Sequence, residues 1–238
     1  MPQEIGTITA LYRYPVKSMA GELLESSELG WQGLVGDRRL AFRRTEEKNG
    51  FPWLTASKLR ELILFKPFTP DGFALEAASN LPTHVLTPEG KTVELFGEEL
   101  RSEISRRFKS EVELMHLKHG IFDEAPLSMI SHATMNAVKQ GIDIRHFRAN
   151  IVIETSDNQP FGEDSWVGKS IAIGEEGARM AVTLKDERCM MLNLNPETAQ
   201  TDPTIMKSVV QLNNNYAGVY GTVLQTGTIA VGQKLYLV

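Results

Sequence analysis

"GVYGTVLQTGTIAVGQKLYLV", residues 218–238, decides how the rest of the chain is read. Three short runs rich in Val, Thr, Ile and Tyr are separated by Thr226-Gly227 and Gly232-Gln233. Runs of that length and composition are strands, and the glycine pairs are tight turns between them. Working outward, the same punctuation recurs. "KSIAIGEEGARMAVTLKDERCMML" predicts a hairpin around Glu175-Glu176-Gly177, and "THVLTPEGKTVELFG" predicts one around Pro88-Glu89-Gly90. "GTITALYRY" alternates as a strand, "RRLAFRR" follows the turn-like "GLVGD", and "ELILFKPF" is a β-like run ending at prolines. Many short strands at this spacing predict a barrel or sandwich.

Three helices interrupt the pattern. "EELRSEISRRF" sets Leu100, Ile104 and Phe108 on one stripe, with acids first and bases last to suit the helix dipole. "SHATMNAVKQG" runs from the N-cap Ser131 to Gly141, with Ala133, Ala137 and Val138 facing inward. "DPTIMKSVVQL" has Asp202 as cap and Pro203 in the first turn, with Ile205, Met206 and Val209 inward. "HLKHGIFDEAP", 116–126, is a seam. The fold class is therefore α+β with β predominant, in two units that meet near residue 120.

Composition excludes several functions. With 42% hydrophobic and 23% charged residues, the chain is an ordinary globular sequence. A net charge of −5 argues against a nucleic-acid binder, which needs a basic surface to displace counterions from phosphates. No apolar run reaches the roughly 18–20 residues of a membrane helix. The start shows no signal-peptide pattern, and a single cysteine forms no internal disulfide. A cytoplasmic protein that meets neither nucleic acid nor membrane is expected.

Familiar catalytic motifs are absent: no G-x-S-x-G, no Walker A loop, no H-E-x-x-H. His116 and His119 lie on a strand-like run, where three-residue spacing points them to opposite faces. Four clusters remain. In "YPVKS", 14–18, Pro15 ends the ladder and frees Lys17 and Ser18. In "GDRR", 36–39, Arg38 and Arg39 point to opposite faces, and an inward one needs an anionic partner. In "FRANIVIE", 147–154, Arg148 and Asn150 share one side at i, i+2 before a buried strand. In "KDERCMMLNLNPE", 185–197, Cys189 follows Arg188, which favours the thiolate. Each cluster alone also fits a bland structural role, and a lone cysteine is often a small buried hydrophobe.

Their order along the chain resembles the MOSC family, named for the C-terminal domain of molybdenum cofactor sulfurases. It is most similar to the subgroup with an added N-terminal β-barrel domain, which includes amidoxime-reducing and related bacterial reductases. The resemblance runs from about residue 5 to residue 238. It implies a MOSC β-barrel core, pyruvate-kinase-barrel-like, with helices, at 119–238. A smaller N-terminal β-barrel-like domain would precede it at 1–118. It implies a bound molybdenum cofactor (Mo-molybdopterin), with Cys189 as the catalytic metal ligand. Lys17, Ser18, Arg38, Arg148 and Asn150 would bind the cofactor with it, and Ser131 would lie near the pterin or act simply as a helix cap. The implied activity is reduction of N-hydroxylated or related N-oxygenated small molecules. The alternative is a non-catalytic carrier of the cofactor or of persulfide sulfur. No iron–sulfur or Rossmann signature occurs, so electrons would come from a separate flavin or iron–sulfur protein. The sequence departs from the family at Leu192 and Asn193, where hydroxylated residues are usual. It departs also at Asn195, usually Asp, and at Thr55-Ala56-Ser57-Lys58, which lacks an arginine.

Overall fold

The structure, a computed structural model, describes residues 2–48, 50–70, 81–174 and 177–238. The first half of the chain contains β1 (Gln3–Arg13), β2 (Glu22–Leu24), β3 (Ser26–Gly30), β4 (Gly33–Leu34) and β5 (Leu40–Arg44). β6 (Lys66–Phe68), β7 (His84–Leu86), β8 (Thr92–Glu94), α1 (Glu98–Phe108) and β9 (Val112–His116) follow. The second half contains β10 (Leu127–Ser131), α2 (His132–Val138), β11 (Ile151–Thr155), β12 (Ser170–Ile173) and β13 (Arg179–Glu187). It ends with α3 (Pro203–Asn213), β14 (Tyr216–Gln225), β15 (Gly227–Ala230) and β16 (Lys234–Leu237).

The main sheet runs β11-β10-β14-β13-β12-β16-β1 and closes on itself because β1 also pairs with β11. Closure leaves no free edge among these seven strands. The interior is filled by Ile8, Leu11, Met129, Ile151, Ile153, Met180, Val182, Val219 and Leu235, all buried. Ile8 and Leu11 are three apart, so a regular strand would turn one of them outward. A register shift in the β1–β11 pairing between Ile8 and Ala10 brings both inside. The expected division at 118/119 assigns β1 to the first unit. The strand pairs with β2 of that unit and also with β11 and β16, so it is a stave of the barrel too.

A second core gathers Phe42, Leu54, Leu62, Phe65, Val85, Leu100 and Ile104 from the middle of the first half. Two segments join it to the barrel. After β1 the chain leaves the barrel and buries Val16 and Met19 in the second core. After β13 it does the same with Leu194 and Ala199. Lys17, Ser18 and Cys189 belong to these crossings, so they fall at the junction of the two cores.

Helix reading succeeds at α1, which spans the expected residues and buries Leu100 and Ile104. α2 starts at the Ser131 cap but ends at Val138, and Met135 is buried where Ala137 was expected; Ala137 is exposed. α3 carries the Asp202 cap and buries Ile205 and Val209. A 3₁₀ turn, Arg60–Leu64, takes up the start of "ELILFKPF", and only Lys66–Phe68 of that run is strand. The hairpin of β7 and β8 forms as read. β12 and β13 pair as expected, while Glu175 and Glu176 of their turn lie outside the described residues.

Candidate functional site: a basic cleft beside Cys189

Six segments distant in sequence converge on one open cleft. Its walls include Lys17, Ser18, Arg38, Asp123, Arg148, Asp186, Arg188, Cys189 and Tyr220. Three of these wall residues hold left-handed backbone: Ser18 at φ 68°, Arg38 at φ 45° and Arg148 at φ 51°. Non-glycine residues rarely adopt this region, and such strain gathers where a site over-determines the chain.

Arg38 is wholly engaged by the protein. Its Nη1 donates to Asp37 at 2.6 Å and to Asn150 Oδ1 at 3.2 Å, and its Nη2 donates to the Arg148 carbonyl at 2.8 Å. Its Nε lies 2.5 Å from Asp123. Burial would lower its pKa, but Asp37 and Asp123 outweigh burial and raise it. Burial likewise would raise Asp123, but Arg38 and Lys17 hold it below the ordinary carboxylate value. Arg38 is the buried arginine with an anionic partner, though it lies in the turn before β5 and not on the strand. Those partners are the protein's own carboxylates.

Arg148 is the opposite case. Its guanidinium makes no hydrogen bond or ion pair with any described residue. It lies over the Tyr14 ring, 4.3 Å from the centroid, and burial lowers its pKa. Arg148 and Asn150 therefore do not act as a pair of side chains. Asn150 is buried below the cleft, donating to the Tyr12 carbonyl and accepting from Arg38, Ser128 N and Ser128 Oγ.

Arg188 spans the back wall, donating from Nε to the Ala217 carbonyl at 2.7 Å and from Nη1 to the Phe147 carbonyl at 2.7 Å. Its Nη2 sits 2.9 Å from Asp186 but makes no aligned hydrogen bond. Gly218 makes room for it: at φ 86°, a Cβ there would meet the Met129 carbonyl at 2.7 Å and Arg188 Nη2 at 3.2 Å. Lys17 Nζ donates to the Phe122 carbonyl at 2.7 Å, and burial lowers its pKa. Ser18 Oγ is 3.4 Å from Met191 Sδ. The Cys189 thiol is free and exposed, at the start of the turn Met190–Asn193.

Ser131 does not line the cleft. Its Oγ accepts from Thr134 N at 3.1 Å as the α2 cap and donates to Glu163 Oε2 at 3.1 Å. Glu163 is fully buried among these hydroxyls, and burial raises its pKa. The native state then keeps a proton that the unfolded chain has released, so this group's stabilising contribution falls as pH rises above about 4.5, its ordinary value. Glu163→Gln is expected to gain on wild type in urea denaturation as pH rises above 4.5, by at most about 1.4 kcal/mol per pH unit, until the raised native value is passed. Parallel pH curves for the two proteins would contradict this.

The departures from the family fall mostly outside the cleft. Asn195 Oδ1 accepts from the amides of Glu197 and Thr198, the turn an Asp would also make. Asn193 Oδ1 caps the Met206 amide and so is committed to α3. Leu192 is buried against α3 with only part of its surface on the cleft, and its carbonyl meets His146 Nδ1 at 2.8 Å. Thr55–Lys58 does not line the cleft. Sequence reading missed Asp37, Asp123, Asp186 and Tyr220. Asp186 stands three residues before Cys189, but acids in a charged run are normally solvated, and nothing local marks this one as buried.

The cleft's donors fit an anionic group carrying a soft metal. Arg148 has donor capacity that no described residue uses, and Lys17 adds an ammonium. The thiol beside them suits a thiophilic metal. A closed barrel joined to a second core, with a thiol at the crossing, is the architecture that places this cleft. The MOSC domain model matches residues 116–236, and the chain belongs to this family. It is 25% identical to human mitochondrial amidoxime-reducing component 1 over 293 residues, covering 99% of this chain and 84% of that protein. The structure of the YuaD protein from Bacillus subtilis superposes with a TM-score of 0.52 at 14% identity, covering 100% of this chain and 98% of that one, which supports the fold. YiiM from Geobacillus stearothermophilus is 20% identical, with a TM-score of 0.37 over 48% of this chain and 54% of its own. Among the described residues, no helix is long and apolar enough to cross a membrane.

Proposed function

We propose that the cleft holds a molybdenum cofactor and that the chain reduces N-oxygenated small molecules with electrons from a separate donor protein. The carrying observation is the Arg148 guanidinium, which no described residue hydrogen-bonds or pairs with, on the same cleft as the exposed Cys189 thiol. The name of the amidoxime-reducing relative supports the reaction class.

In this reading Cys189 is the protein's ligand to the metal. Arg148 and Lys17 meet the anionic end of the cofactor, with Arg148 offering paired charge-assisted bonds. Ser18, buried and left-handed, fixes the loop that carries Lys17. Arg38 and Asn150 bind no cofactor directly. They position Arg148 by holding its carbonyl and the strand start beneath it. The bound cofactor supplies the two-electron chemistry and an open position for the substrate oxygen.

The test is metal and pterin content per chain for wild type and Cys189→Ala, from a host that makes the cofactor. Near-stoichiometric molybdenum in wild type, lost in the variant, is expected. An empty wild type, from a host that loads another family member, overturns the enzyme reading and leaves the sulfur or cofactor carrier.

A further inference from the structure

The proposed reduction consumes protons as well as electrons. Removing oxygen from an N–OH group needs two of each: R–NH–OH + 2 e⁻ + 2 H⁺ gives R–NH₂ + H₂O. The donor protein supplies the electrons. The protons must enter through the chain or the solvent, and most titratable groups on the cleft are already committed. Asp123 is held ionised by Arg38 and Lys17. Asp37 is paired with Arg38 and accepts from the Tyr14 amide at 2.6 Å. Lys17 donates to a carbonyl.

We propose that Asp186 and Tyr220 are the proton-delivery pair of this site, a step that rests on the reductase reading above. Asp186 is buried at the end of β13, on the wall that also carries Cys189. Tyr220, on the neighbouring strand β14, lines the same cleft. Tyr220 also lines a second, wider groove with Val167, Leu184, Lys185 and Tyr216, and this groove opens beside Cys189. The tyrosine therefore stands between solvent and the buried acid. Asp186 gives its carboxyl proton to the departing hydroxyl, which leaves as water, and after reprotonation it gives the second proton to the nitrogen. The carboxylate is reprotonated through the Tyr220 hydroxyl, which takes a proton from groove water as it passes on its own.

The electrostatics agree. Asp186 faces Arg188 from its own segment, Tyr220 from β14, Asp123 from the 117–126 loop and Arg38 from the turn before β5, with Lys17 and Arg148 on the same cleft. Burial dominates and pushes its carboxyl up to about 7, with Asp123 adding to it and Arg188 and Arg38 opposing. The unaligned Arg188 Nη2 leaves the carboxyl without a charge-assisted hydrogen bond from that neighbour. An acid that titrates near working pH is the one suited to general acid catalysis.

Two measurements on the full chain test the pair. In metal-free protein, carboxyl carbon NMR follows the Asp186 resonance, assigned with Asp186→Asn; titration near neutrality is expected. In cofactor-loaded protein, the pH profile of kcat/KM is measured with an artificial electron donor. Asp186→Asn is expected to keep its metal and pterin, lose the limb near pH 7 and lose about a hundred-fold in kcat. Asp186→Glu restores the limb. Tyr220→Phe keeps the limb and alters the solvent isotope effect. An Asp186 that titrates near 4, or an Asp186→Asn enzyme with the wild-type pH profile, overturns the pair while leaving the reductase reading intact. A wild type that never takes up metal overturns that reading, and the pair falls with it.

Discussion

Arg38→Met should destabilise the protein by about 3–5 kcal/mol, the usual cost of removing one partner from a buried ion pair. The substitution strands Asp37, which is 1% exposed, and leaves Asp123 without its nearest cation. It also removes the donors to Asn150 and to the Arg148 carbonyl. Domain stabilities run to about 5–15 kcal/mol, so a third or more is at stake. The urea midpoint is the readout. Asp37→Asn in the same chain should recover part of the loss, because it removes one stranded charge. A midpoint for Arg38→Met within experimental error of wild type would show that the clamp carries no stability.

Arg148→Met should behave in the reverse sense. No hydrogen bond or ion pair among the described residues is lost, and a half-buried, unpaired charge is removed from a low-dielectric wall. The stacking on Tyr14 is worth about 1 kcal/mol, which roughly offsets that gain. The urea midpoint should therefore stay close to wild type. Cofactor retention should fall about ten- to a hundred-fold, matching the roughly 1.5–3 kcal/mol of a charged hydrogen bond. Pterin content after extended dialysis measures it. If the variant unfolds as readily as Arg38→Met, the guanidinium serves the fold; if pterin is retained in full, it does not touch the cofactor. The two arginines separate a residue that holds the site together from one held ready for a ligand.

The expected handling of pairs in "GDRR" and "FRANIVIE" shows where sequence reasoning reached its limit. Arg38 sits in a left-handed turn before β5, where strand period does not apply. The cost of burying a charge required an anionic partner for an inward arginine, yet it could not choose between a bound phosphate and a carboxylate of the chain. That choice was made by Asp123, eighty-five positions after Arg38, arriving through a loop that reads as a seam. Period 2 placed Arg148 and Asn150 on one side, but the left-handed turn at Arg148 breaks the period before the strand begins.

Local patterns determined what local energetics control. The C-terminal strands, the β7–β8 hairpin, α1 and the caps of α2 and α3 follow from alternation, turn residues and capping side chains within a few positions of one another. The order of the motifs also marked the family and singled out Cys189. Only the tertiary structure decided that β1 closes the barrel, that two chain crossings bring Lys17 and Cys189 to one cleft, and which charges there are spent. The β1–β11 ladder and the Arg38–Asp123 pair join residues far apart in the chain, and their free energy is fixed by desolvation at the place where they meet.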